Sequence, residues 1–112
     1  MMEQIADTAQ WDELLASSET ADVIIFKHSN ACGISEYAYS KLDEADKAGK
    51  FPVPVHMVII QEHRSLSGRI TEDLSLTHQS PQVIVIRNRE VLYHASHYSI
   101  EPADIIDYLV SE

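Results

Sequence analysis

The sequence VIIFKHSNACGIS, from Val23 to Ser35, decides the fold. Its first four residues are β-branched or aromatic, and a strand from Val23 to Lys27 is therefore predicted to be buried on both faces. A polar turn follows, and a helical pattern runs from about Cys32 to Lys47. Its apolar positions recur every three or four residues: Ile34, Ala38, Leu42 and Ala45. The stretch predicts a strand that turns directly into a helix, with the cysteine at or just before the helix N-terminus.

Six further elements lie outside this stretch. The predicted strands are Val53 to Ile60, Gln82 to Arg87 and Glu90 to Ser96, with a polar turn at Asn88-Arg89 between the last two. The predicted helices are 9–18, with Thr8 as candidate N-cap, 63–76, and one from Pro102 whose buried stripe is Ile105, Ile106, Leu109 and Val110. Gly49 is predicted to stop the helix that contains the cysteine.

The order of these elements restricts the topology. A strand-helix-strand unit requires a parallel pair with a right-handed crossover, and the short turn at Asn88-Arg89 makes the last pair antiparallel. We therefore predict one domain, residues 1–112, of the α/β class. It is a thioredoxin-like, four-stranded mixed sheet flanked by helices on both faces.

Charge and composition exclude several classes of function. The 112 residues carry 18 Asp and Glu against 8 Lys and Arg, a formal charge of −10. A nucleic-acid or anionic-membrane partner would require a basic surface, so neither is expected. The longest apolar runs have four residues, whereas a membrane span needs about twenty. The N-terminal segment lacks the basic and apolar regions of a secretory signal, so we expect a cytoplasmic protein.

Cys32 is the only cysteine, so no disulfide can form within one chain. No two of the six histidines have the i, i+4 spacing of a helical zinc site, and we predict no metal ligands. A helix N-terminus stabilises a thiolate through its free N–H groups and its dipole. Cys32 is therefore the predicted catalytic nucleophile, suited to accepting and releasing a small-thiol adduct.

Two further positions complete the predicted site. Ser35 occupies the place of the second thiol in a Cys-x-x-Cys motif, so an external thiol must resolve any mixed disulfide. Its hydroxyl either donates to the Cys32 sulfur or caps a backbone N–H. The Ser80-Pro81 bond, just before a strand, is predicted to be cis and to expose the backbone of Ser80 for pairing with a substrate chain. His28 and His97 are expected to flank this groove as surface or packing residues, and the tyrosines are expected to pack.

Three blocks carry a family resemblance. Lys27 to Ser35, Ser80 to Ile84 and Ala95 to Ile100 resemble the YtxJ-like proteins, the monothiol bacilliredoxins of bacteria that make bacillithiol. The resemblance implies a thioredoxin fold, a nucleophile at Cys32 and removal of bacillithiol from S-bacillithiolated proteins. It implies bacillithiol as co-substrate and no bound cofactor. The substrate-binding residues it implies are Asn30, Gly33, Ser35, Ser80 and Pro81. The oligomeric state stays open, and a monomer is favoured over a dimer.

One departure from the family pattern leaves alternatives. Family members commonly have proline after the cysteine, whereas Cys32-Gly33-Ile34-Ser35 is similar to the motif of monothiol glutaredoxins. Those proteins carry a [2Fe–2S] cluster between two chains, with two external thiols as further ligands. They also hold glutathione with a Gly-Gly turn, and residues 95–99 contain no glycine, which favours the bacilliredoxin interpretation. A redox-inactive thioredoxin-like interaction module is the third alternative.

Overall fold

A computed structural model describes residues 2–109 and contains one five-stranded mixed sheet with strand order β1-β3-β2-β4-β5. The strands are β1 (Glu3–Gln4), β2 (Val23–His28), β3 (Val55–Ile59), β4 (Gln82–Arg87) and β5 (Glu90–Ser96). The helices are α1 (Thr8–Ser17), α2 (Gly33–Lys47), α3 (Arg64–Leu74) and α4 (Pro102–Leu109), and a short 3-10 helix spans His97–Ser99. The predicted α/β class is confirmed.

The predicted count of four strands is wrong by one, because β1 adds a short parallel edge strand beside β3. Its two residues are both exposed and polar, so they carry no alternation that could reveal a strand. The structure also begins β3 at Val55 rather than Val53. Pro54 precedes it and has no N–H to donate to a neighbouring strand.

The strand β2 lies at the centre of the sheet, and all six of its residues are buried. It pairs in parallel with β3 and antiparallel with β4, as the topology argument predicts. Ile24 and Phe26 pack on the face covered by α2 and α4, where Leu42 and Ile105 complete the core. The opposite face holds a second apolar cluster under α1 and α3: Ile5, Trp11, Val23, Ile25, Val58, Leu66, Ile70, Ile84 and Ile86.

The helix ends follow local chemistry. Asp7, not Thr8, caps α1, because its carboxylate accepts the Gln10 N–H at 2.9 Å while Thr8 is already the first helical residue. Gly49 has a φ of 72°, which agrees with its predicted role in stopping α2. In α4, Ile105 and Leu109 are buried and Ile106 is half-buried, whereas Val110 lies outside the described residues.

The hairpin between β4 and β5 turns at Asn88 and Arg89, as predicted. Both residues have positive φ values, 53° and 67°, which is the backbone of a two-residue turn that matches the strand twist. The end of α1 supports the turn, because Ser18 accepts both N–H groups: its carbonyl accepts that of Asn88 at 2.7 Å and its hydroxyl that of Arg89 at 2.9 Å. Among residues 2–109, no helix has the length and apolar character that crossing a bilayer requires.

The cap assignment gives a direct test of helix α1. We expect Asp7→Ala to lower the free energy of unfolding by about 1 kcal/mol, because the Gln10 N–H loses its acceptor. Thr8→Ala should change it by less than about 0.5 kcal/mol, since Thr8 provides no cap. Urea denaturation of both variants measures the difference. A larger loss in Thr8→Ala than in Asp7→Ala would contradict the assignment.

Candidate active site at the Cys32 turn

Strand register brings three segments together at one edge of the sheet. Lys27 in β2 lies opposite Gln82 in β4, so the chain entering β4 through Pro81 runs beside the end of β2. On the other side His28 lies opposite Ile59, and the His28 carbonyl accepts the Ile60 N–H at 3.0 Å. The turn at 29–31, the turn at 60–63 and the segment before β4 therefore meet at this edge.

Cys32 is the N-cap residue of α2, as the sequence predicts. Its backbone is extended (φ −128°, ψ 124°), and its carbonyl accepts the first helical N–H, that of Glu36, at 3.0 Å. Its side chain is half-buried and makes no capping hydrogen bond. The first-turn N–H groups that follow have no intrahelical acceptor. The thiol, which makes no capping bond, thus belongs to the residue at the positive end of the dipole of a 15-residue helix.

Side chains satisfy the backbone N–H groups of the turn that precedes Cys32. The Ser29 N–H donates to Ser35 Oγ at 2.9 Å, and the Asn30 N–H donates to Gln61 Oε1 at 3.2 Å. The Ala31 N–H donates to Ser29 Oγ at 3.4 Å. Sheet pairing has ended at His28, so these contacts fix the path of the chain into the helix.

Ser35 is fully buried beneath this turn. Besides accepting the Ser29 N–H, its hydroxyl lies 2.8 Å from His28 Nδ1. Of the two roles that the sequence left open for Ser35, the contacts agree with the bond to a backbone N–H, which belongs to the preceding turn. Its hydroxyl is engaged with His28 and Ser29 rather than with the Cys32 sulfur.

His28 is a buried packing residue. Its ring stacks on Phe26 with centroids 5.5 Å apart and lies 5.2 Å from the Tyr39 ring. Burial lowers the pKa of His28 below its ordinary value, and the Glu36 carboxylate, 3.7 Å from Nε2, partly opposes this. The neutral ring with its proton on Nε2 satisfies both contacts: the Ser35 hydroxyl donates to Nδ1, and Nε2–H points towards Glu36.

Ser80 and Pro81 form the second wall of the site. The peptide bond between them is cis, which confirms the prediction, and Pro81 is buried. The Pro81 carbonyl accepts the His97 N–H at 3.1 Å, so the 3-10 helix lies against this segment. The Ser80 Oγ is buried without a hydrogen-bond partner among the described residues. A buried hydroxyl without a partner lowers the stability of the fold.

Asn30 and Gly33 lie on the exposed side of Cys32. A Cβ added at Gly33 would meet no atom within 4 Å, and the residue does not have a positive φ. Neither space nor backbone conformation therefore requires glycine here. Its small size leaves the approach to Cys32 open.

Two tyrosines beside the helix are exposed, which differs from the packing role expected for them. Tyr37 on α2 is 51% exposed and Tyr98 in the 3-10 helix is 68% exposed. Their rings meet edge to face with centroids 6.1 Å apart, and Lys41 Nζ lies 4.9 Å from the Tyr37 ring centroid. The pair joins the N-terminal half of α2 to the segment that contacts Pro81.

Lys27 is a buried residue that sequence reasoning did not place. It points to the opposite face of the sheet from His28, and its Nζ donates to Thr71 Oγ1 at 2.8 Å and to the Ser67 carbonyl at 3.2 Å. It also lies 3.2 Å from His78 Nδ1, in the segment that leads to Ser80. Burial lowers the pKa of Lys27 to about 8. Its contacts hold the segment before Pro81, and it does not contribute charge next to Cys32.

The described side chains do not form a group that could bind a metal ion. Within residues 2–109, no three His, Cys, Asp or Glu residues are grouped so that they could hold an ion. The site therefore offers one thiol at a helix N-terminus, with the cis Ser80-Pro81 bond at the same edge of the sheet. These elements fit attack on a disulfide sulfur by the Cys32 thiolate.

Comparisons with known proteins agree with this chemistry. A family model described as monothiol bacilliredoxin BrxC matches residues 3–105. A solved structure described as having a thioredoxin fold is 23% identical with a TM-score of 0.82, over 96% of this chain and 92% of that one. The thioredoxin of Trypanosoma brucei brucei is 16% identical with a TM-score of 0.76, over 99% of this chain and 89% of that one. The thioredoxin of Fasciola hepatica is 14% identical with a TM-score of 0.73, over 98% of both chains. At these identities the solved structures show the fold, which confirms the predicted thioredoxin-like architecture.

The buried charge of Lys27 makes stability depend on pH. Its pKa is about 8 in the folded chain and about 10.4 in an unfolded one. Between these values the unfolded chain binds more protons, so this residue makes the free energy of unfolding rise with pH. We expect the stability of the parent, measured relative to Lys27→Met, to increase from pH 8 to about pH 10 in urea denaturation. Lys50→Met, at an exposed lysine, is the control and should follow the parent. If the difference in free energy of unfolding between the parent and Lys27→Met stays constant over this pH range, the lowered pKa of Lys27 is wrong.

Proposed function

The chain belongs to the monothiol bacilliredoxin family, and we propose that it removes bacillithiol from S-bacillithiolated proteins through a mixed disulfide on Cys32. The family and the thioredoxin fold support a thiol redox role in general. The particular reaction is our inference. In it, bacillithiol is the co-substrate, no cofactor is bound, and the protein acts as a monomer in the cytoplasm.

One observation carries the proposal: the sole cysteine is the N-cap of α2, with a free sulfur and no second thiol at the fourth position of the motif. Ser35 at that position is buried and hydrogen-bonded. A dithiol enzyme would close an internal disulfide, whereas this site must pass its adduct to an external thiol. This requirement matches a small-thiol exchange enzyme.

The reaction proceeds in two exchanges. The Cys32 thiolate attacks the bacillithiol sulfur of the protein mixed disulfide, a new S–S bond forms to Cys32, and the protein cysteine leaves as a thiolate. The thiolate of a second bacillithiol then attacks the bacillithiol sulfur on Cys32. It forms bacillithiol disulfide and releases the Cys32 thiolate, which the helix N-terminus stabilises as a leaving group. The substrate protein cysteine is reduced and the second, incoming bacillithiol is oxidised, while the bacillithiol taken from the protein stays at the disulfide level throughout.

The surface beside Pro81 is the proposed docking place for the protein substrate. Ser80 is half-buried there, and its hydroxyl is buried and has no partner among residues 2–109. We infer that an extended substrate segment pairs with the backbone of Ser80. The hydroxyl would have to rotate towards that segment to bond it, because it is closed to solvent in the free protein. Asn30 and Gly33 leave the other side of Cys32 open for bacillithiol.

Replacement of the nucleophile tests the function. We expect Cys32→Ser to abolish removal of bacillithiol, because no other cysteine can replace it. Mass spectrometry of the parent from a bacillithiol-producing cell should show a bacillithiol adduct on Cys32, and the variant should carry none. The urea midpoint of the variant provides the control for folding.

Three results would contradict the proposal. If Cys32→Ser removes bacillithiol at more than a trace rate, Cys32 is not the nucleophile. Purification of the parent as an iron-containing dimer would instead support the cluster carrier. Alkylation of the parent by iodoacetamide at the rate of an ordinary exposed thiol, with no adduct in the cell, would support the redox-inactive module.

The unpaired Ser80 hydroxyl gives a test of substrate docking. We expect Ser80→Ala to slow reaction with an S-bacillithiolated protein about fivefold, the effect of losing one hydrogen bond. Reaction with a small bacillithiol disulfide should not change, and stability should not fall, because the hydroxyl has no partner in the free protein. Ser65→Ala, at an exposed position on α3, is the matched control. Equal slowing with both substrates would contradict a docking role for this hydroxyl.

A further inference from the structure

Gln61, in the turn between β3 and α3, contacts the active-site turn with both ends of its amide. Its Oε1 accepts the Asn30 N–H at 3.2 Å, and its Nε2 donates to Ser29 Oγ at 2.6 Å. The same Ser29 oxygen accepts the Ala31 N–H at 3.4 Å. One side chain, 29 residues beyond Cys32 in sequence, therefore supports two consecutive N–H groups of the turn before it.

We propose that Gln61 is a positioning residue for Cys32, which holds the turn at 29–31 in the path that places the sulfur at the N-terminus of α2. This inference rests on the proposed function. Ser35 holds the turn from the helix side and Gln61 holds it from the β3 side. Gln61 does not need to contact the substrate, because it acts through Ser29 and Asn30.

The location of Gln61 separates this role from general stability. Its side chain is half-buried at the sheet edge, and it belongs to neither apolar cluster of the core. Replacing it opens no core cavity. The effect of a replacement is therefore confined to the turn. There, freed N–H groups let the chain adopt other paths, and Cys32 leaves its N-cap position for part of the time.

The neutral amide of Gln61 also suits the electrostatics of this position. A neutral Gln supplies one acceptor and one donor without adding a charge beside a thiolate. Glu at this position keeps an acceptor for the Asn30 N–H and accepts the Ser29 hydroxyl, so it can hold the same turn. Met has similar length and offers neither contact. Gln61→Met therefore removes both hydrogen bonds to the turn, whereas Gln61→Glu keeps a bond to Asn30 and a bond to Ser29.

A matched control exists in the same chain. Gln10 makes a side-chain bond of the same kind, since its Oε1 accepts the Ala6 N–H at 2.7 Å in the turn before α1. That turn is not part of the site. Among the described residues, the turn that Gln10 supports has no hydrogen bond to residues 29–32. Gln10→Met therefore removes one side-chain-to-backbone hydrogen bond outside the Cys32 turn, and any effect of lost stability alone should occur in both variants.

The experiment measures Cys32 alkylation by iodoacetamide together with hydrogen exchange of the Asn30 and Ala31 amides. We expect Gln61→Met to slow alkylation about fivefold and to speed exchange of both amides by about the same factor, as for one lost hydrogen bond. Gln61→Glu should restore slow exchange at Asn30, and Gln10→Met should match the parent in both measurements. Transfer of bacillithiol should fall in parallel with alkylation.

The outcomes separate this inference from the proposed function. Parental alkylation and exchange in Gln61→Met, or equal slowing in Gln10→Met, would overturn the positioning role. If the Asn30 amide exchanges as fast in Gln61→Glu as in Gln61→Met, the proposed hydrogen bond from the Asn30 N–H to the side chain at position 61 is wrong. If the parent alkylates rapidly but transfers no bacillithiol, the proposed function fails while the alkylation and exchange comparison still tests Gln61.

Discussion

The structure depends on the complete burial of β2. This strand has a neighbour on each side and an apolar cluster on each face, so its register is fixed along its whole length. When the chain leaves the strand after His28, backbone pairing stops at a defined point. The turn, the helix N-terminus and Cys32 follow from that point within four residues. A rigid strand thereby positions the proposed nucleophile, which itself lies at the end of a turn.

Much of this arrangement could be predicted from local sequence. The β-branched runs predicted β2 and β4, the 3.6-residue period predicted α2, and the position of Cys32 between strand and helix predicted its place as N-cap. The strand β1 could not be predicted, because two exposed polar residues pair only through backbone groups. The cap of α1 was placed one residue late, because Asp7 and Thr8 are both suitable cap residues and only geometry distinguishes them.

The residues that support the site are the part that sequence reasoning missed. Gln61 and Lys27 act across 31 and 44 residues of sequence, respectively. Their residue types are common on protein surfaces, and no spacing rule connects them to their partners. Lys27 and His28 are adjacent in sequence, yet alternation along the strand sends them to opposite faces. The first supports the segment that leads to Pro81, and the second supports Ser35 beneath Cys32.

The buried position of Ser35 affects how this site can evolve. Ser35 differs from cysteine by a single atom, but its oxygen has two partners, the Ser29 N–H and the His28 ring. A thiol is larger, a weaker acceptor for the Ser29 N–H and a weaker donor to the His28 ring, so a cysteine here would leave both partners poorly bonded in a closed space. A dithiol descendant would thus require a second change, at His28 or in the turn. Because of these interior hydrogen bonds, a single Ser35→Cys substitution is unfavourable, and the site keeps one thiol.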